Sequence, residues 1–214
     1  MREKPISEVA QPIGLDLIAP ERFAPVLARL ALLALGLGAG TGLLLAVIVA
    51  WPVAVVSGVV LGAPTALYAL AVARRRLWLT ATVLHARTLW RHRRLDLAQA
   101  SGAEMLVYPG RLSRVAVRVT VGGDAQIVPV ALYTDAGSGR EMHLLGLRRL
   151  ADALAAAPLP TALAVSGVLV AQIQAEIADA DLEHRPLYRA TRSVRARYSV
   201  QPVVLAAAEI AALG

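Results

Sequence analysis

Residues 30–73 run forty-four positions without a charged side chain, and three arginines, Arg74, Arg75 and Arg76, close the run. At about 1.5 Å of rise per helical residue, a bilayer core of roughly 30 Å takes about 20 apolar residues, so the run suffices for two crossings. A soluble hairpin this apolar needs a protein large enough to wrap it, and only residues 74–214 follow. At the midpoint, Trp51 suits an interface and Pro52 a turn. The run reads as two spans, over about residues 26–50 and 52–73, that turn back at Trp51-Pro52.

Orientation follows from arginine placement. Arg22 and Arg29 precede the first span and Arg74, Arg75 and Arg76 follow the second, while the turn between them is uncharged. By the positive-inside bias, both termini face the cytoplasm of a two-span plasma-membrane protein. A cleaved export signal has an apolar core of about 7–15 residues close to the start, and this run is about three times too long. A mean hydropathy of +0.59 describes a chain that is part membrane and part not. All 22 basic residues except Lys4 are arginine, a skew that fits a GC-rich bacterial genome. With no cysteine, disulfides, thiolate nucleophiles and thiol metal sites are excluded.

Four segments follow along the chain: an arm (1–25), the hairpin (26–76), a β-domain (77–157) and a helical, basic tail (158–214). The arm is broken by Pro5, Pro12, Pro20 and Pro25 and reads as mobile or lying on a surface. In span one, Gly36/Gly40 and Gly38/Gly42 form overlapping small-xxx-small pairs on adjacent faces, a spacing that lets helix backbones approach closely in lipid. They fit packing within the hairpin or homo-oligomerisation through the glycine face. Beyond Arg76 the pattern turns to strands, over residues 77–85, 88–97, 114–121, 126–134 and 141–145. Val115, Val117, Val119 and Val121 alternate without fault, Gly122-Gly123 suits a tight hairpin, and Pro129 implies an edge or a bulge. Leu147, Leu150, Ala151 and Leu154 then fall at helical spacing. Residues 161–171 are too few for a third crossing and read as a soluble helix.

Residues 79–100, LTATVLHARTLWRHRRLDLAQA, and the helix LLGLRRLADALAAA at 144–157 follow two spans and a basic triplet. In this order the chain resembles the membrane-anchored bacterial pleckstrin-homology-like (PH-like) proteins, over residues 24–157. The resemblance implies two nearly orthogonal sheets with residues 147–157 as the helix that plugs one end. The fold class expected is therefore a membrane helical hairpin, then a small α+β domain and a helical tail.

Chemistry has little to stand on. His85, His92, His143 and His184 show no metal-ligand spacing, and Gly137-Ser138-Gly139 lacks the nucleophile-elbow register, so no catalytic residue, metal or cofactor is expected. Charge is the stronger signal: residues 74–98 hold seven arginines against Asp96. The candidate membrane-interface residues are Arg74, Arg75, Arg76, Trp78, Trp90, Arg91, Arg93 and Arg94. Their arginines serve topology alone or contact anionic headgroups as well. The block at residues 185–197 has five arginines and no acid beside Tyr188 and Tyr198, but no nucleic-acid reading motif accompanies it.

The function expected is a non-enzymatic, membrane-anchored interaction or scaffolding module, docking through sheet edges such as the one near Pro129. The partners are the bilayer with its anionic headgroups, and an unidentified membrane protein or a second copy. The alternative is an accessory subunit of a membrane transport, secretion or DNA-transfer complex.

Overall fold

The computed structural model describes residues 11–17, 20–197 and 201–213, which divide into two compact units. One holds residues 20–76 together with 87–92; the other holds 11–17, 77–86 and 93–213. Residues 1–10 of the expected arm, and Tyr198, lie outside the described residues.

The helical unit is built on α1 (Pro20–Leu45) and α2 (Trp51–Arg74). Both are long and apolar enough to cross a membrane, and they present Leu32, Leu33, Leu43, Val56 and Val60 outward. Such side chains fit a lipid surround and not water. The turn lies at residues 46–50 and not at Trp51-Pro52. Pro52, which has no N–H to donate, sits instead in the first turn of α2, where that donor is not needed. The two helices meet backbone to backbone: a Cβ on Gly58 would come within 2.6 Å of the Gly38 carbonyl oxygen, and one on Gly62 within 2.8 Å of that of Ala34. Gly42 faces Ala54 in the same seam, whereas a Cβ on Gly36 or Gly40 would meet open space. The four glycines of span one therefore divide, one pair sealing the hairpin and the other facing away.

The α+β unit has two antiparallel sheets. The first has the order β1 (Ile13–Gly14), β2 (Arg76–Thr80), β3 (Val83–Arg87), β4 (His92–Asp96). The second runs β8 (Gly139–Glu141), β7 (Asp124–Thr134), β6 (Leu112–Val121), β5 (Gly102–Tyr108), β9 (Val203–Val204). Helices α3 (Leu144–Ala155), α4 (Pro160–Ile177), α5 (Pro186–Arg195) and α6 (Ala207–Ala211) complete it.

Part of the expected arm is sheet. Ile13 and Gly14 pair with Leu79 and Trp78, the Leu15 N–H donates to the Leu77 carbonyl at 2.9 Å, and Leu15 is fully buried. An apolar side chain removed from water in this way holds a strand only two residues long. Pro20 and Pro25 do not break α1, which begins at the first of them and carries the second in its early turns.

The two strands expected over residues 77–97 are three, because Ala81 takes a left-handed φ of 51° and turns β2 into β3. The strand expected at 141–145 ends at Glu141, and the helix begins at Leu144, before 147. β5 had no counterpart in the sequence reading. The Gly122-Gly123 turn is as expected: both residues have positive φ, and Val121 stands opposite Asp124. Pro129 stands at a bulge, where the register slips between Val115 and Ala116.

Residues 158–214 do not form a tail apart. One core joins Leu79 and Leu84, Val115, Val117 and Val119, Leu147 and Leu150 with Leu169, Leu187, Leu205 and Ile210. α4 is also long and apolar enough for a crossing, yet it packs on α3, β5, α5 and α6 and buries Val165, Val168 and Leu169.

Gly58→Ala is expected to splay the hairpin at a cost of roughly 1–3 kcal/mol, the range for an overpacked seam. Gly36→Ala should leave it unchanged. SDS titration of the purified protein, followed by circular dichroism, measures both; equal effects of the two variants refute the glycine seam.

Candidate functional site

Of the eight residues singled out for the membrane interface, five share the helical unit. α2 ends at Arg74, and the Arg75 N–H closes its last turn on the Val72 carbonyl at 3.2 Å. Cations suit this end because the last carbonyls of a helix carry partial negative charge. Arg74, Arg75 and Arg76 are all exposed. β2 starts at Arg76, and the turn at Ala81-Thr82 brings the end of β3, at Arg87, back beside it. A tight turn follows. The Thr88 N–H donates to the Arg91 carbonyl at 2.8 Å, the Thr88 hydroxyl donates to the same oxygen at 3.1 Å, and the Arg91 N–H donates back to that hydroxyl at 3.2 Å. Leu89 and Trp90 occupy the tip, and Trp90 is 88% exposed.

The other three lie in the α+β unit. Trp78 stacks flat on His85, with centroids 5.1 Å apart, so its ring is engaged across β2 and β3. Arg93 is half-buried, 3.5 Å from Asp124 and donating to the Ala125 carbonyl at 3.4 Å. Arg94 is exposed. The charge run at 74–98 thus mixes exposed arginines with one that serves the fold.

The docking edge expected near Pro129 is partly occupied. β8 pairs with β7 only from Ala131 to Tyr133, leaving residues 124–129 beyond its reach. There Arg93 covers the Ala125 carbonyl, the Gln126 amide donates to the Ile127 carbonyl at 3.1 Å, and Pro129 has no N–H to offer. Occupied acceptors and a missing donor are how sheets blunt an edge.

The basic block at residues 185–197 holds the fold together. Arg189 donates to the Ala212 carbonyl at 3.0 Å, Arg192 pairs with Glu183 at 3.5 Å, and Arg197 pairs with Glu209. Arg195 reaches the Ser113 hydroxyl at 3.0 Å and Asp135 at 2.8 Å. The Arg197 guanidinium and the Ala206 N–H hold the Glu209 carboxyl below the usual range. Arg185, the fifth, enters a buried network that sequence reasoning missed.

In that network Arg185 donates to Glu141 at 2.7 Å and to the Ala180 carbonyl at 3.0 Å, while the fully buried Tyr133 donates its hydroxyl to the other Glu141 oxygen at 2.6 Å. Tyr188 sets its ring edge-on to Tyr133 at 5.2 Å. Burial, and after it Glu141, push the Tyr133 hydroxyl far above the ordinary tyrosine range. For Arg185, burial works against the charge, but Glu141 outweighs it and the pKa is raised. Burial and then the Glu141 charge raise Glu176, against the pull of Arg185. On α4, Gln172 Oε1 accepts the Leu187 N–H at 3.1 Å, while Gln172 Nε2 and Glu176 Oε2 are buried without a hydrogen-bond partner among the described residues. The sequence signal was a run of polar residues, Gln172, Gln174 and Glu176, closing a mostly apolar helix, with Gln172 and Glu176 four residues apart on one face.

Among the described residues no cluster of histidine and carboxylate side chains could hold a metal ion, and the Ser138 hydroxyl lies 2.6 Å from that of Thr134 at a loop tip. The groove along the helical hairpin is lined by glycine, alanine, leucine and valine, with Trp51 as the one lining side chain that carries a polar group. Compared with known proteins, the chain matches no family model, no curated protein and no solved structure.

Arg185→Met would strand Glu141, whose side chain is 8% exposed, and is expected to cost roughly 3–5 kcal/mol. Arg192→Met, in a pair with both partners largely exposed, should cost less than about 1 kcal/mol. Thermal unfolding of the two variants in detergent checks the ranking; similar losses refute it.

Glu176 supplies a pH test. With its folded pKa raised above the ordinary 4.5, the folded state binds more protons between the two values, so stability falls as pH rises through that window. Glu176→Gln should therefore raise the melting temperature at pH 7, and the gain should shrink once the pH falls below 4.5. A gain independent of pH would show that the carboxyl's charge is not the cause.

Proposed function

We propose that this chain is a non-enzymatic, PH-like interaction module anchored by two spans at the cytoplasmic face of a bacterial plasma membrane. The observation that carries this reading is the pairing of an outward-apolar helical hairpin with a separately cored α+β unit, joined between α2 and β2 by the single residue Arg75. Two antiparallel sheets followed by α3 support the PH-like assignment, and the arginines flanking the spans support the orientation. Anchoring raises the effective concentration of the module for membrane-bound partners, so modest contacts suffice. Among the described residues β4 is the longest strand paired on one side only, and its exposed Arg94 favours an acidic extended segment.

One observation favours the second reading, a subunit of a larger membrane complex: the outward Gly36/Gly40 face leaves room for another helix. Within the spans the Ser57 hydroxyl donates to its own helix at Val53, at 2.9 Å, and is not offered to a conducted solute.

Purification of the full chain in mild detergent tests both. The module reading expects a stoichiometric membrane partner that is lost with Arg94→Glu and retained with Arg148→Glu on the exposed face of α3. Loss with Gly36→Leu but not with Arg94→Glu would favour the subunit. A chain that purifies alone, at any protein concentration, sinks both.

A further inference from the structure

The turn at residues 88–91 points beyond a pure anchor. Among the described residues its tip carries the most exposed large apolar side chain of the protein, Trp90, at 88%. Three hydrogen bonds between Thr88 and Arg91 close the turn behind it, so the ring is displayed by a braced loop. An indole combines a large apolar body with one N–H donor, a pairing that suits the layer where acyl chains meet headgroups. A bare apolar tip in water has no such compensation.

Three further observations say what covers it. Residues 87–92 group with the two spanning helices as one compact unit. The strand order returns β3 beside Arg76, the second residue after the end of α2. Trp90 stands three residues past Arg87, within about 10 Å of it along even a fully extended chain. A headgroup layer is roughly 5–8 Å deep on each side of the hydrocarbon core, so the tip is within reach of it. The charge is complementary as well: residues 74–76 and 87–92 together hold five arginines and no carboxylate. Arg74, Arg75, Arg76, Arg87 and Arg91 are all exposed.

We propose that this turn is a second membrane contact, which seats Trp90 in the headgroup layer of an anionic bilayer and sets Arg87 and Arg91 against its phosphates. The proposal rests on the reading that α1 and α2 span the bilayer. It adds that the first unit meets the membrane with a loop as well as with its helices. Trp78, stacked on His85, has no part in it.

The test uses the full chain in lipid nanodiscs of mixed anionic and zwitterionic phospholipid. Trp51→Phe with Trp78→Phe leaves Trp90 as the one tryptophan, and Trp78→Phe with Trp90→Phe leaves Trp51. Lipids brominated at shallow acyl positions should quench Trp90 at least twofold and its emission should be blue-shifted. Arg87→Gln with Arg91→Gln should at least halve that quenching, as should purely zwitterionic lipid. Trp90 emission that is red, open to acrylamide and untouched by brominated lipid overturns the proposal. If Trp51 is quenched in its own variant while Trp90 is not, the anchor stands and the loop contact falls; if neither is quenched, the spanning reading falls with it. A blue shift seen in native membranes but not in lipid-only discs assigns the turn to a protein partner and also overturns the proposal. Because the chain has no cysteine, Trp90→Cys carrying an environment-sensitive fluorophore repeats the measurement with Trp51 and Trp78 intact.

Discussion

Removal of apolar surface from water is the constraint on which this structure depends, and the two units answer it in different ways. In the α+β unit, valines of β6 and leucines of α3 and α4 face one another in a single core. In the helical unit the apolar side chains point outward and the centre of the seam is glycine, so the helices approach by their backbones. In lipid, burying one leucine against another gives no reward, so helices there associate by close backbone contact of this kind. α4 shows the division most clearly. Its composition would pass for a span, yet its apolar residues have partners within the unit.

Polar groups follow the same economy of place. Arg93 and the arginines of residues 185–197 are tied to carboxylates, hydroxyls or backbone carbonyls of the α+β unit, whereas Arg74, Arg75, Arg87, Arg91 and Arg94 stand exposed. A count of charges along the chain treats these sets alike. Their geometry separates arginines that staple a fold from arginines left at its surface. Arg185 is the extreme member of the first kind, because it answers a carboxylate and a tyrosine that are both nearly out of water.

What was legible in the sequence was local. The spans, the valine alternation of β6 and the Gly122-Gly123 turn each write their signal within a few residues. The break between β2 and β3 does not, since the left-handed residue there is Ala81, with no glycine or asparagine to mark it. β5 was hidden because Met105, Leu106 and Val107 are buried in succession, which erases the alternation of a half-buried strand. Two other misses are non-local. Glu141 and Arg185 are 44 residues apart, and Leu77 meets Asp16 across 61. The interface residues were named together from one charge run, but strand pairing assigned Trp78 and Arg93 to the fold and left Trp90 at a loop tip.

β1 and β2 are neighbours in one sheet, yet α1 and α2, both long and apolar enough to cross a membrane, lie between them in sequence. The helical hairpin is thus an insertion into a β-hairpin. With Leu15 bonded to Leu77, the chain leaves the sheet and re-enters it at adjacent points, on either side of the two helices. Both long apolar helices therefore belong to a single connection of that sheet.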